Sequence, residues 1–338
     1  MNILFIGGTG TISSAITRQL AESEHTLYLL NRGRRPEAIP EGVKLLKADI
    51  SDEAEAAAVL GDLTFDVVAD FIAFVPEQLE RDYRLFNGRT RQLIFISSAS
   101  AYQKPLSDYR ITESTPLYNP YWEYSRNKIA CEDYLMRQYR ENGFPITIVR
   151  PSHTYGERSV PLGLSGSKGS WQVLKRMLEG KPVLIHGDGS ALWTATHNSD
   201  FAKGFIGLLG NAHAIGEAVQ ITSDESLTWN QIYEIIADAL GVKLNAIHVS
   251  SDFLVACNEG IRGALLGDKS NTVVFDNAKL KRLVPGFTAT VRFDQGVRRS
   301  IANVLATPSL QVEDPEYDAF CDKVVAALEG AVKAVKGN

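Results

Sequence analysis

Tyr124 and Lys128 stand four residues apart in the run Tyr124-Ser125-Arg126-Asn127-Lys128. On a helix this spacing puts the phenol and the ammonium on one face, about 5–6 Å apart at Cβ. A cation beside a tyrosine favours the phenolate, so a phenol with an ordinary pKa of about 10 becomes a proton carrier near neutral pH. Such pairs also occur as plain neighbours on a helix surface. The serine run Ser97-Ser98-Ala99-Ser100-Ala101-Tyr102 adds a second feature. It directly follows an apolar stretch, and a hydroxyl there would hydrogen-bond a substrate alcohol or carbonyl. Its simpler reading is a turn.

A third feature lies at the start of the chain. Gly7-Gly8-Thr9-Gly10-Thr11-Ile12-Ser13 follows one apolar run and opens an amphipathic one. Glycines at such a strand-to-helix turn let the backbone approach a pyrophosphate, whose charge then meets the positive end of the helix. Gly7, Thr9, Gly10, Thr11 and Ile12 are therefore expected at a dinucleotide. Ser13 occupies the third glycine position and should hold the helix slightly off the sheet. About 20 residues on, an NAD-preferring unit places an acid for the ribose 2′-hydroxyl. This chain has Asn31 there, followed by Arg32, Arg34 and Arg35. Guanidiniums without an acid suit a 2′-phosphate, so NADP is expected as the cofactor over NAD. A solvated basic turn is the alternative. Asp49 and Ile50 are expected at the adenine, although Ser51 or Asp52 as a helix cap is a competing reading of that stretch.

The elements that would position these residues read as alternating strands and helices. Strands are expected over Asn2–Ile6, 26–30, Lys44–Lys47, 66–69, 92–96 and 146–150. Helices are expected over 11–21, 76–87 and 121–142, with Leu79, Tyr83 and Phe86 recurring at helical steps. That alternation implies an α/β fold: a Rossmann-type doubly wound parallel sheet covered on both faces. After Pro151 the texture changes. A Gly/Ser/Pro-rich loop over 159–170 precedes a helix over 171–179, strands over 182–185 and Ala218–Ile221, and a helix over Trp229–Leu240 stopped by Gly241. Phe320, Val324, Leu328 and Val332 then form a stripe at steps of four, as a terminal helix packed on the body or on a second subunit would. The expected division is a dinucleotide-binding domain over 1–157, a smaller substrate-binding lobe over 158–310 with segments returning to the sheet, and a C-terminal helix over 311–338. The substrate would lie between the lobes.

With the glycine turn, the serine run and the Tyr-x-x-x-Lys helix in this order, the chain resembles the short-chain dehydrogenase/reductase superfamily. It is most similar to the extended branch of NAD(P)-dependent epimerases and dehydratases. The resemblance covers about residues 1–305 and includes Phe65-Asp-Val-Val-Ala-Asp-Phe-Ile-Ala73, Arg150-Pro-Ser-His-Thr-Tyr-Gly156 and His186-Gly-Asp-Gly189. It implies that Ser98 polarises the substrate oxygen, Tyr124 exchanges the proton, and Lys128 holds the nicotinamide ribose. It places Phe71, Ile72 and Ala73 beside the cofactor ribose and phosphates, and Pro151 and Ser152 near the nicotinamide. Ser98, Ser100, His153 and Trp193 would face the substrate. It further implies a homodimer formed by helices 76–87 and 121–142 against their copies.

The chain departs from that family at informative places. Ala99 and Ser100 stand where dehydratases carry an acid pair, which disfavours dehydration. His153 stands where nucleotide-sugar enzymes carry an Asn, and Trp193 stands where they carry an Arg on the substrate diphosphate. An indole has one donor and cannot replace a bidentate guanidinium. Trp193 is expected either to stack on a substrate ring or to pack in the core, and Arg158, Lys168 and Arg262 are the candidates to replace the missing Arg. His197 is expected near the Asn198/Ser199 helix cap.

Composition sets outer bounds. The chain has 338 residues, 44% hydrophobic and 22% charged, close to the globular average. Thirty-five basic against 40 acidic residues give a net charge of −5, without the basic footprint of a nucleic-acid binder. Cys131, Cys257 and Cys321 show no metal or disulfide spacing, so no metal is expected. The N-terminus lacks a signal-peptide pattern, and no apolar run is long enough to span a bilayer, so a cytoplasmic protein is expected. The expected activity is hydride transfer at a sugar or sugar-derivative carbon bearing OH or C=O. The alternatives are reduction of a non-sugar carbonyl, or a non-catalytic nucleotide- or RNA-binding role.

Overall fold

The computed structural model describes residues 1–35 and 38–337, which form two compact units. The first comprises Met1–Thr154, Thr196–Asp224 and Phe275–Thr290. Its strands and helices are β1 (Asn2–Ile6), α1 (Ser13–Ala21), β2 (Thr26–Asn31), β3 (Lys44–Lys47), α2 (Glu53–Leu60), β4 (Val67–Asp70), α3 (Pro76–Phe86), β5 (Leu93–Ile96), α4 (Glu123–Asn142), β6 (Ile146–Pro151), α5 (Asn198–Leu208) and β7 (Ala218–Ile221). The seven strands form one sheet in the order β7-β6-β5-β4-β1-β2-β3. Every adjacent pair is parallel, as in Ile3 opposite Val67 and Leu27. The order reverses between β1 and β4, the place where doubly wound sheets open a ligand crevice at the strands' carboxyl ends.

Alternation along β1 shows why the sheet is covered twice. Ile3 and Phe5 pack with Ala15, Ile16 and Leu20 of α1 and Phe201 and Phe205 of α5. Leu4 and Ile6 join Leu79 and Phe86 of α3 and Cys131 and Leu135 of α4 on the other face. A strand buried on both faces reads as one unbroken apolar run. Two helices start two residues later than expected, about half a turn. The chain turns through Thr11 and Ile12 before α1 begins at Ser13. Asn119 Oδ1 accepts the N–H groups of Tyr121 and Trp122, which holds those two residues outside α4. The Asp52 carboxylate accepts the Glu55 N–H and caps α2.

The second unit comprises Tyr155–Ala195, Glu225–Val274 and Val291–Asn338. Strand Val183–His186 pairs in parallel with Ala246–Val249, and helix Trp229–Leu240 ends on a left-handed Gly241. The C-terminal helix Pro315–Lys336 is anchored by Arg176, fully buried, which donates to Asp318 at 2.6 Å and Asp322 at 2.8 Å. Of its apolar stripe, Val324 is buried, and Phe320 and Leu328 pack beside it on the same cluster. Val332 is exposed, so the stripe meets this unit over its first part only.

Candidate active site

The glycine turn follows β1, and its backbone excludes larger residues. Gly7 and Gly8 have φ of +103° and +94°, a region costly for any residue with a Cβ. A Cβ on Gly8 would lie 2.6 Å from Leu29 Cδ2, and one on Gly7 would lie 3.2 Å from Ile72 Cγ2. The turn is pinned from both sides: Thr17 Oγ1 donates to Gly8 O at 2.8 Å, and Asn198 Nδ2 donates to Thr11 O at 3.0 Å. Ser13, the departure at the third glycine position, has a role of its own, since its Oγ accepts the Gly10 N–H at 3.0 Å. The first turn of α1 carries no acid, so nothing there opposes an anion.

Beside this turn lies a cavity of about 590 Å³. Gly7, Thr9, Ile72 and Phe74 line it, as do Asn31, Arg32, Arg34, Arg35, Asp49 and Ile50. The Asn31 amide spans two turns, its Oδ1 accepting the Gly33 N–H at 2.8 Å and its Nδ2 donating to Gly7 O at 3.4 Å. Arg32 stands 3.8 Å from the Asp49 carboxylate, with both side chains solvent-accessible. Hydrogen bonds from the Ser51 hydroxyl and amide hold Asp49 below the usual carboxylate range. The residues fit a dinucleotide: the glycine turn leaves no side chain in the way, and the far end is lined with guanidiniums.

Lys128 is buried on α4. Its Nζ donates to the carbonyls of Ala73 at 2.7 Å and Ile96 at 2.8 Å. It also lies over the rings of Phe74, Phe95 and Tyr124, at 4.6, 4.8 and 5.7 Å from their centroids. Burial lowers its pKa to about 8, against the pull of nearby acids. Tyr124 is half-buried, its ring in contact with Trp122 at 4.8 Å and Phe74 at 6.2 Å. The Ser98 Oγ lies 2.9 Å from Ser100 Oγ, which accepts from Ser125 Oγ at 2.8 Å. This chain of hydroxyls links the serine run to the residue after Tyr124.

Ser98 is half-exposed, whereas Ser100 is buried. Ser100 links Ser98 to Ser125 through its hydroxyl. Pro151 ends β6 in the core, and the Ser152 Oγ lies 2.9 Å from Thr196 Oγ1. His153 is half-buried. For Trp193 the structure shows the packing side of the two expectations. It is 3% exposed and one face is stacked on Trp229 at 5.2 Å, within the second unit. Arg158 and Lys168 are exposed, and Arg262 is paired with Glu259. His197 caps α5, its Nδ1 accepting the Ser199 N–H.

One group of site-supporting residues was not singled out in the sequence. Glu132, two helical positions beyond Ala130, is buried on α4. It accepts the Ser97 hydroxyl at 2.5 Å and a two-pronged contact from buried Arg150, Nη2 at 2.5 Å and Nε at 3.0 Å. The Arg150 guanidinium also lies 4.9 Å from the Tyr102 ring centroid. This network ties both ends of the serine run to α4 and β6. A Glu four residues after Lys128, on the Tyr124 side of the helix, was the available signal. Among the described residues no group of three or more His, Cys, Asp or Glu is placed to hold a metal, and no helix is long and apolar enough to cross a membrane.

A parallel sheet in this strand order, with a glycine turn after β1 and a Tyr–Lys pair on α4, defines a Rossmann-type member of the extended short-chain dehydrogenases. The chain belongs to the NAD dependent epimerase/dehydratase family, whose model matches residues 3–222. It is 26% identical over 288 residues to a 2′-dehydrokanamycin reductase from Streptomyces kanamyceticus, covering 85% of this chain and 80% of the relative. It is 30% identical over 210 residues to an uncharacterized UDP-glucose epimerase from Bacillus subtilis, covering 62% and 59%. In fold it is similar to a Thermus thermophilus UDP-glucose 4-epimerase solved in complex with NAD, with a TM-score of 0.68 at 21% identity, covering 91% of this chain and all of that one.

The Glu132–Arg150 pair yields a stability prediction. Glu132→Ala would leave a buried guanidinium without its partner, so a loss of about 3–5 kcal/mol is expected in denaturant unfolding. A loss below about 1 kcal/mol would show that water or another acid replaces the carboxylate.

Proposed function

We propose that this protein is an NADP-dependent oxidoreductase that transfers hydride at a ring carbon of a sugar or sugar derivative. The observation that carries the reading is the Lys128 ammonium, seated between two backbone carbonyls and 5.7 Å from the Tyr124 ring. When bound, the nicotinamide supplies or accepts the hydride. The chain's own groups place the reactants and move the proton. Tyr124 Oη gives its proton to the substrate oxygen in reduction and takes it back in oxidation. Lys128 holds the nicotinamide ribose and stabilises the phenolate. Ser98, oriented by Ser100, donates a hydrogen bond to the same substrate oxygen. Phe74 and Trp122, both in ring contact with Tyr124, would supply an aromatic wall for the face of a ring.

A reductase acting on a small sugar derivative is favoured over a nucleotide-sugar epimerase. The position matching the family's diphosphate-binding Arg is Trp193, and that indole is in the core. A relative named for reducing 2′-dehydrokanamycin supports the same choice. The guanidiniums of Arg32, Arg34 and Arg35 around the far end of the cavity support NADP within an NAD-dependent family. A homodimer through α3 and α4 belongs to this proposal.

Tyr124→Phe should fold and bind NADPH, yet lose about 10²–10⁴ in turnover on a panel of keto sugars and their derivatives. Near-wild-type turnover would remove Tyr124 from the mechanism. NADPH should bind about tenfold or more tightly than NADH, from one charge-assisted phosphate contact, and Arg32→Ala should narrow the gap. Equal affinities, unchanged in Arg32→Ala, would refute the NADP assignment. Sedimentation at micromolar concentration should show a dimer, and a single 37.1 kDa species would contradict that part.

A further inference from the structure

Three charged side chains lie together behind the cavity. Asp70 ends β4, and Arg81 and Asp82 are neighbours on α3. Both carboxyls are fully buried and Arg81 is nearly so. Arg81 donates through Nε at 3.0 Å and Nη2 at 2.7 Å to one oxygen of Asp82, and the same Nη2 lies 3.5 Å from Asp70 Oδ2. Asp70 Oδ1 accepts the N–H groups of Ile72 at 2.6 Å and Ala73 at 2.9 Å. The Ala73 carbonyl is the one that receives the Lys128 ammonium.

We propose that Asp70, clamped by Arg81 and Asp82, is a positioning residue of the reaction centre: it fixes the bend after β4 so that the Ala73 carbonyl meets the Lys128 ammonium. The inference rests on reading Lys128 as the residue that holds the cofactor ribose. An aspartate that accepts the N–H groups two and three residues on is common in exposed turns, where water serves equally well. Here the carboxylate is dry and held by a guanidinium that itself lines the dinucleotide cavity. The Arg81 fork grips Asp82, its Nη2 also reaches one Asp70 oxygen at 3.5 Å, and the other Asp70 oxygen, held by the Ile72 and Ala73 N–H groups, sets the tilt of the 72–73 peptide. That tilt aims the carbonyl at Lys128.

The charge count tells the two acids apart. Two carboxyls share one guanidinium, and like charges this close in a dry site keep a proton between them. Burial and the neighbouring Asp70 charge hold Asp82 well above the usual carboxylate range. Asp82 Oδ2 has no hydrogen-bond donor among the described residues, whereas both Asp70 oxygens face donors. Asp82 is thus the acid of the pair that holds a proton more readily, while the Asp70 oxygens are the ones that accept from the backbone and the guanidinium. Asparagine at 82 imitates the protonated acid, and asparagine at 70 does not imitate the carboxylate. If the cluster merely stapled α3 to β4, all three residues would affect stability and none would affect Lys128.

The test compares Asp70→Asn, Asp82→Asn and Arg81→Lys in protein labelled with ¹⁵N-lysine, at a pH below the Lys128 value of about 8. The slowly exchanging ammonium signal of Lys128, assigned by its loss in Lys128→Met, should survive in Asp82→Asn. It should vanish in Asp70→Asn and in Arg81→Lys, which keeps the charge but not the fork. NADPH affinity should fall about tenfold or more in the last two variants and stay within about threefold in Asp82→Asn. Should Asp70→Asn not fold, Arg81→Lys decides alone. An unchanged Lys128 signal in Asp70→Asn or Arg81→Lys overturns the proposal, as does its loss in Asp82→Asn. Wild-type protein that binds neither NADPH nor NADH would sink the cofactor reading instead, because the lysine signal needs no cofactor.

Discussion

A buried ammonium is the constraint around which the first unit is arranged. Lys128 reaches from α4 to the last residue of β5 and to the bend after β4, joining three elements through one nitrogen. Removing a lysine charge from water is costly unless hydrogen bonds and π-faces replace the hydration. Here two carbonyls and the rings of Phe74 and Phe95 do so, incompletely, which is why its pKa falls to about 8. A lysine with that value sits close to the point of losing its proton at neutral pH. In the proposed mechanism it is this retained ammonium that a phenolate and a ribose would use, and the fold bears the cost.

The same economy governs the other buried charges. Glu132 with Arg150, and Asp70 with Arg81 and Asp82, are dry clusters near Lys128, and the charges of Asp70 and Glu132 both favour its ammonium form. Neither cluster is an efficient way to gain stability, because desolvation consumes most of what pairing returns. What they provide is direction. Glu132 fixes Ser97, and hence the serine run, against α4. Asp70 fixes the peptide that faces Lys128. Catalytic geometry must be held to fractions of an ångström, and such clusters cannot rotate without breaking several hydrogen bonds at once.

Most of the parallel sheet was legible in the sequence because its strands are short apolar runs separated by helical periods, and the glycine turn because its residue types leave few alternatives. The supporting residues were less legible. Ser98 and Ser100 look alike in sequence, and only the folded chain shows that Ser100 turns inward to Ser125. Trp193 was assigned by counting back along a loop, and counting cannot tell a wall of a site from a wall of a core. Its partner Trp229 is remote in sequence, so the stacking between them had no local signature. The Asp70–Arg81–Asp82 cluster joins a strand end to a helix interior, and on α3 alone Arg81 and Asp82 read as ordinary polar surface.

Under the proposed preference for NADP, the far end of the cavity would set a 2′-phosphate against an acid already in place. Asn31 cannot hold a 2′-hydroxyl as an acid would, because both ends of its amide are committed to the backbone of Gly7 and Gly33. Its job is to lock the basic turn onto the glycine turn. Arg32 then has two possible anions, the Asp49 carboxylate and a 2′-phosphate. At 3.8 Å with both groups in water, the Asp49 contact is a loose pair of little energy. A phosphate carries more charge and accepts a two-pronged contact, so it should displace the carboxylate. Asp49 would still be held below the usual carboxylate range by the Ser51 hydrogen bonds. In this arrangement discrimination follows from the looseness of an existing pair: the more weakly Asp49 holds Arg32, the less a 2′-phosphate must break to bind.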